Sequence, residues 1–220
     1  VANSLTIRWL GRVPYADALA VQEDLVARKA TNSALPDELL LLEHDPIYTI
    51  GRTPDQSSLR DAALLPHPVV TINRGGQATY HGPGQLVGYP ILDLRLRGQD
   101  LHRYLRGLEE VLIALLAEYG VTGERHEGMT GVWVGGKKIA SIGVGVRKWI
   151  SMHGFALNVS GDLSPFRAIT PCGLNGVEMT SLSLECDREV GVGEVAGRLG
   201  PIFQRLDIST VQRVKLAFAG

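Results

Sequence analysis

The chain has 220 residues, 45% of them hydrophobic and 20% charged, enough apolar content to bury a sizeable core and too much for a disordered chain. A formal net charge of −1 with scattered basic residues argues against a nucleic-acid partner. No apolar run reaches the roughly 18 residues of a membrane span, and "VANSLTIRWLGRV" lacks the layout of a signal peptide, so a cytoplasmic, soluble protein is expected.

In chain order, "LTIRWLG" (5–11) reads as a strand and 14–30 as a helix with Pro14 near its start. Short strands follow at 38–44 and 46–51. Residues 67–76 read as a strand running into a glycine-rich loop, and 86–94 as a strand leaving it. Basic residues in 95–106 alternate with apolar ones like a solvated helix face. The clearest helix is 100–119, where Leu101, Tyr104, Leu105, Leu108, Val111, Leu112, Leu115, Leu116 and Tyr119 share a stripe and Gly120 follows as a stop. Residues 131–146 read as a hairpin turning at Gly135-Gly136, and 149–159 as the next antiparallel strand. Residues 161–176 read as loop, and 190–206 as a terminal helix interrupted at Gly200-Pro201. The pattern predicts an α+β fold over 1–220 as a single domain: a mostly antiparallel sheet with helices packed on it.

Two cysteines without a CxxC or clustered histidines make a disulfide framework or zinc site improbable. Cys172 in "TPCG" sits in a turn, and on residue type alone a buried small hydrophobe is the more common role. Nothing around Cys186 argues for more. Lys137 and Lys138 follow the hairpin turn. Successive strand residues take opposite faces, so one lysine points inward, which is costly unless its charge has work to do. His44, His81 and His153 are each open to a structural or a functional reading, with the structural one favoured for His153.

The segment "RGGQATYHGPGQLVGYP" (74–90) holds five glycines. It is not a phosphate-binding fingerprint, since no G-x-x-x-x-G-K-[ST] occurs and no helix follows at once. Bare backbone there suits a carbonyl, a carboxylate or an acyl chain laid against it. "HGPGQ" does not fit a central strand, because Pro83 lacks the N–H.

Together, "LLLLEHDPIYTIGR" (39–52), residues 74–94, "GVWVGGKKIASIGVGV" (131–146), "HGFALNV" (153–159), "ITPCGL" (169–174) and "TSL" (180–182) resemble the lipoyl(octanoyl) transferases, the octanoyl-carrier-protein:protein octanoyltransferases of lipoate biosynthesis. The resemblance implies the biotin/lipoate-protein-ligase-like fold, with helices on one side of a sheet. It implies movement of an octanoyl group from acyl carrier protein to a lysine of apo lipoyl domains, those of 2-oxoacid dehydrogenase complexes and of the glycine cleavage H protein. The route runs through a thioester on Cys172, with Lys138 as partner in register with "IASIG". Substrate-binding residues by the same matching are Arg74, Gly75, Gly76, Gln77, Ala78, Thr79, Tyr80 and His81, then Ser141, Ile142, Gly143, Gly154, Phe155 and Ala156. His44, Tyr89 and His153 are auxiliary candidates. No ATP and no metal are expected, and a monomer is the default. An acidic carrier would call for a basic rim, for which Arg52, Arg74, Arg147 and Lys148 are candidates. Valine at Gly75 or Gly76 is expected to block acylation and leave the fold intact.

A free thiol with a pKa of about 8.5 is about 3% thiolate at pH 7. If a lysine lowered that pKa by about 1.5 units, thiolate would rise roughly 16-fold while nucleophilicity fell roughly 5-fold, a net gain of only about threefold. The larger role expected of Lys138 is therefore proton relay. Three alternatives stand beside this reading: a lipoate or biotin ligase using ATP, a silent acyl-carrier or lipoyl-domain binding module, and a thioesterase.

Overall fold

The computed structural model describes residues 4–52, 54–173 and 176–206, with residue 172 described by its backbone alone. The Cys172 side chain and residues 174–175 of the "ITPCGL" motif therefore lie outside the described residues. In chain order the elements are β1 (Leu5–Val13), α1 (Tyr15–Thr31), β2 (Asp37–His44), β3 (Ile47–Ile50), β4 (Val69–Thr71), β5 (Thr79–His81), β6 (Gln85–Ile91), α2 (Leu101–Ala117), β7 (Val132–Val134), β8 (Lys137–Arg147), β9 (Ile150–Asn158), α3 (Leu182–Glu185) and α4 (Val192–Arg205). Single 3-10 turns connect several of them, including Pro171–Gly173.

Four successive leucines in β2 decide the layering. Leu39 and Leu41 join a core with α2 and α4, whereas Leu40 and Leu42 join one with α1. A strand whose neighbours alternate in direction and are all buried needs cover on both faces. The six-stranded sheet, ordered β1-β2-β6-β9-β8-β7, thus has helices on both sides. This corrects the expectation of helices on one side; the mostly antiparallel sheet stands, with β1–β2 its parallel pair. A second sheet, β4-β3-β5, has its own core of Tyr48, Ile50, Ala78, Tyr80, Phe166 and Ile169.

Other departures have local causes. The strand expected over 67–76 pairs only at Val69–Thr71, because the Ile72 N–H still reaches Ile50 O but that of Gly75 crosses to Val144 O of the large sheet. The α4 helix runs through Pro201 without interruption, since Val195, Ala196, Leu199, Ile202 and Phe203 bury one apolar face that outweighs one missing backbone bond. The basic residues before α2 do not form a solvated face. Arg97 reaches the buried Asp37 at 2.7 Å, opposite Lys29 at 2.8 Å, and Arg106 reaches the buried Glu109 at 2.6 Å. Asp100 caps α2 by accepting from the Arg103 N–H at 3.0 Å. Among the described residues, no helix is long and apolar enough to cross a membrane.

Two glycines make opposite predictions. A Cβ at Gly88 would lie 2.0 Å from the Phe155 ring, so Gly88→Ala should destabilise by about 1–3 kcal/mol. At exposed Gly197 in α4 nothing lies within 4 Å, so Gly197→Ala should stabilise by about 0.5–1 kcal/mol. Urea midpoints of the two variants check both signs.

Candidate active site

The small sheet and the 72–77 loop close against β8 and β9 to leave a cavity of about 380 Å³, within the range of small-molecule sites. Period-two alternation selects its lining from the glycine-rich segment. Gln77, Thr79 and His81 face the cavity, while Ala78 and Tyr80 turn into the core of the small sheet. Ala78 and Tyr80 are thus removed from the expected lining, Tyr80 packing edge-on against Phe166 at 5.5 Å. The other expected residues, Arg74, Gly75, Gly76, Ser141, Ile142, Gly143, Gly154, Phe155 and Ala156, line the cavity, as do the auxiliary Tyr89 and His153. His44 stands behind them.

The glycines of 74–90 divide by what a side chain would strike. Three answer to packing: a Cβ would meet the Tyr80 ring at Gly82, the Ser160 carbonyl at Gly84 and the Phe155 ring at Gly88. At Gly75 a Cβ would meet only Val144 O at 3.8 Å. Gly76 has φ +89°, where valine is strained whatever the space, so it is not the neutral position expected of it. Gly143 makes room for Arg74, whose Cδ would lie 3.0 Å from a Cβ there. Arg74 is buried and donates to Gly75 O, Thr49 O, Thr49 Oγ1 and Gln77 O at 2.9–3.0 Å, so it belongs to the interior and not to a rim. Arg52, Arg147 and Lys148 are exposed.

Lys138 is the inward lysine, 1% exposed; Lys137 is outward and pairs with Glu178 at 3.3 Å. The Lys138 ammonium donates to Thr130 O at 3.2 Å and sits 4.7 Å from the centre of the Trp133 ring. Gly131, at φ +134°, gives it room, since a Cβ there would lie 2.8 Å from Lys138 Cε. Gly131 is held in turn by Glu109, a buried carboxylate that accepts from its N–H at 3.1 Å and from Arg106 and Arg125 at 2.6 and 3.0 Å. The sequence carried a signal for Glu109: it is the one acid on the apolar stripe formed with Leu105, Leu112 and Leu116.

Segments around the Pro171–Gly173 turn are tied to both sides of this cavity. The Thr170 N–H donates to Ser58 O at 2.8 Å, and a Cβ at Gly173 would lie 2.9 Å from the side chain of cavity-lining Gln77. Further on, the Lys138 N–H donates to Glu178 O at 2.8 Å and Lys138 O accepts from the Thr180 N–H at 3.0 Å. Cys186 packs beside the α2–α4 core, away from the cavity.

The histidines form a neutral network whose tautomers follow from their partners. His44 Nδ1 donates to Val13 O at 2.8 Å, so Nε2 accepts from the Tyr89 hydroxyl at 2.7 Å. The Gln85 amide NH₂ donates to Tyr80 O and Asn158 Oδ1, which leaves its oxygen to accept from His81 Nδ1 at 2.7 Å. His81 Nε2 then accepts from the Thr49 hydroxyl at 3.3 Å. Burial, then the neighbouring His44, pushes His81 down to about 3. Burial, then Arg74, pushes His153 down to about 4, with the Asn73 backbone acting weakly the other way. Burial raises Tyr15 to about 12 and Tyr89 well above its usual value. His153 occupies a left-handed conformation, φ 56°, rare for a residue with a side chain and frequent at functional sites. No pattern in the sequence marked that backbone conformation, and none assigned Tyr15, Leu105, Met129 and Thr130 to the cavity, which they also line. Among the described residues, no three His, Cys, Asp or Glu side chains gather as a metal-holding group.

The lipoyl protein ligase A/B catalytic domain family matches residues 14–204. The chain belongs to this family. It is 54% identical to an octanoyltransferase of Geobacter metallireducens over 87% of this chain and 88% of that one. It is also 54% identical to one of Syntrophotalea carbinolica over 92% and 94%, and 51% identical to one of Synechococcus elongatus over 89% and 87%. Solved structures share the fold at low identity. LipL1 of P. falciparum, in complex with lipoate, superposes with a TM-score of 0.71 at 12% identity, over 96% of this chain and 65% of that one. A bipartite lipoate protein ligase of Thermoplasma acidophilum gives 0.63 at 17%, over 94% and 84%, and biotin protein ligase of Aquifex aeolicus 0.53 at 12%, over 92% and 68%.

The neutral histidines set a pH dependence of stability. Both titrate below the unfolded value of about 6.5, so the unfolded chain binds more protons as pH falls, and stability present above about 6.5 is lost toward 4 and then 3. His153→Gln should reduce the fall in unfolding free energy between pH 6 and 4.5 by up to about 1.4 kcal/mol per pH unit. Urea titrations of both proteins across that range check it; parallel curves would refute it.

Proposed function

We propose that the protein is an acyltransferase that moves an octanoyl group from acyl carrier protein to a lysine of an apo lipoyl domain, through a thioester on Cys172. The observation that carries the reading is the buried amine of Lys138 at the wall of the cavity, its backbone bonded on both sides by the strand-like segment that follows the Cys172 turn. The names of the relatives, octanoyltransferases at 51–54% identity, supply the acyl group. Acceptors in this reading are lipoyl domains of 2-oxoacid dehydrogenase complexes and the glycine cleavage H protein, and neither ATP nor a metal takes part.

The reaction balances without a co-reactant. The Cys172 thiolate attacks the carrier thioester, the pantetheine thiolate leaves, and the Lys138 ammonium gives it a proton. The acceptor amine then attacks the enzyme thioester, neutral Lys138 takes the amine's proton, and the Cys172 thiolate is restored. Exchange of one thioester for another is nearly balanced, and formation of the amide is downhill. Neutral His44 and His81, each with its ring N–H committed to a protein oxygen, fix the shape of the cavity and do not relay protons. Water as acceptor, the thioesterase outcome, depends on how fully the docked domain closes the site.

Intact-protein mass spectrometry with octanoyl-acyl carrier protein, without ATP, tests this. One octanoyl adduct is expected, absent from Cys172→Ser and passed to an apo lipoyl domain on addition. Lys138→Met should lose far more than threefold in turnover even at a pH where the thiol is ionised. Modification of the lipoyl domain only with free acid plus ATP would favour the ligase reading. Gly75→Val should fold, since its Cβ meets nothing closer than 3.8 Å, yet lose the adduct; normal acylation there would remove the loop from the acyl site.

A further inference from the structure

The two ends of the cavity differ in chemistry. In the β8–β9 ladder Ser141 pairs with Ala156, Ile142 with Phe155, Gly143 with Gly154 and Val144 with His153. From Lys138 to the Val144–His153 pair the strand advances six residues, about 20 Å. The stretch between is mostly apolar or bare, formed by Ile142, Phe155, Ala156 and the glycines, with Ser141 and the Arg74 side chain over Gly143 as its polar groups. The far end is polar: Tyr89 stands 6.4 Å from His153 ring to ring, and Tyr15 lines the same wall.

Several buried polar atoms at that end make no well-formed hydrogen bond within the protein, the Asn73 backbone acting only weakly on His153. They are the Tyr15 hydroxyl, both ring nitrogens of His153, and the Gln22 amide nitrogen. His153 is 2% exposed and Gln22 fully buried. The left-handed backbone of His153 is pinned by its N–H to Gln22 Oε1 at 2.8 Å, which brings its Cδ2 to 3.2 Å from where a Gly145 Cβ would stand. Strain at one residue thus brings an imidazole with no well-formed hydrogen bond of its own to the cavity wall. Such groups carry a desolvation penalty unless something able to bond them stays beside them.

We infer that this end of the cavity holds ordered water above the methyl end of the bound chain, and that Tyr15 and His153 thereby set the longest acyl chain the site accepts. This rests on the acyl-transfer reading, with the acyl carbonyl at the Lys138 end. An extended eight-carbon chain spans roughly 9 Å from carbonyl to methyl at standard bond lengths and stops short of the polar end. A sixteen-carbon chain, roughly 19 Å extended, reaches it and has to displace water from groups an alkyl chain does not bond. Discrimination built on unmet hydrogen bonds exceeds what a methylene gains by burial.

The test is a chain-length series. Wild type, Tyr15→Phe, His153→Leu and His153→Gln are each given C8 and C16 acyl-carrier-protein thioesters, and initial acylation rates are read by intact mass. Wild type should favour C8. Tyr15→Phe and His153→Leu should raise the C16-to-C8 ratio about tenfold, with His153→Gln staying near wild type. An unchanged ratio in folded Tyr15→Phe and His153→Leu overturns the inference while leaving acyl transfer standing. Equal ratios in His153→Leu and His153→Gln overturn it in favour of simple size. No acylation of wild type by either chain overturns both readings.

Discussion

A buried guanidinium organises this site. Arg74 leaves the small sheet just after β4 and donates to carbonyls of Thr49, Gly75 and Gln77 and to the Thr49 hydroxyl. A cation is kept in the interior only when its donors are met, and here much of that work falls to backbone oxygens of the loop it shapes. The loop's curvature, the contact of its Gly75 N–H with Val144 O and the placing of Gln77, Thr79 and His81 on one wall are consequences of the same group. Gly143 is bare because the arginine lies over it.

The positive charge also explains the state of the rings around it. It lowers His153 and His81 further than burial alone, and it works against the burial that raises Tyr15 and Tyr89. Near neutral pH the wall beside Arg74 therefore carries neutral histidines and protonated tyrosines. A neutral wall admits an apolar chain, whereas an imidazolium there would demand water or a counter-ion along the whole cavity. Lys138 is kept apart from this region along β8, in a cradle of its own made by Glu109, Gly131 and Trp133.

Much of the frame was legible because it depends on short-range rules. The hairpin at Gly135-Gly136 and the long apolar stripe of α2 follow from turn chemistry and helical spacing. The inward direction of one lysine follows from strand alternation. That rule applied to 77–81 would also have separated Gln77, Thr79 and His81 from Ala78 and Tyr80, which reading the segment as one block obscured. The glycines were ambiguous for a different reason. Gly82, Gly84 and Gly88 answer to Tyr80, Ser160 and Phe155, two of which lie some 70 residues on, so the sequence alone does not separate them from glycines that face a ligand. The left-handed turn at His153 was equally hidden, because it depends on the Gln22 amide of α1, 131 residues away.

The two sheets bring the walls of the cavity together from distant stretches of chain, and hydrogen bonds fasten both flanks of the Pro171–Gly173 turn beside it. Before the turn, Thr170 is fastened to Ser58, whose hydroxyl also donates to Gln77 at 2.8 Å. After it, Glu178 and Thr180 bracket the Lys138 peptide as a strand would, although only Met179 forms a bridge. A loop held at one flank would position its tip poorly, since the free arm samples many conformations. Here one flank, at Thr170, is fixed beside the loop that walls the cavity, and the other, at Glu178 and Thr180, to the strand that carries the lysine. The site thus uses the rigidity of two sheets to hold the segments on either side of the short Pro171–Gly173 turn.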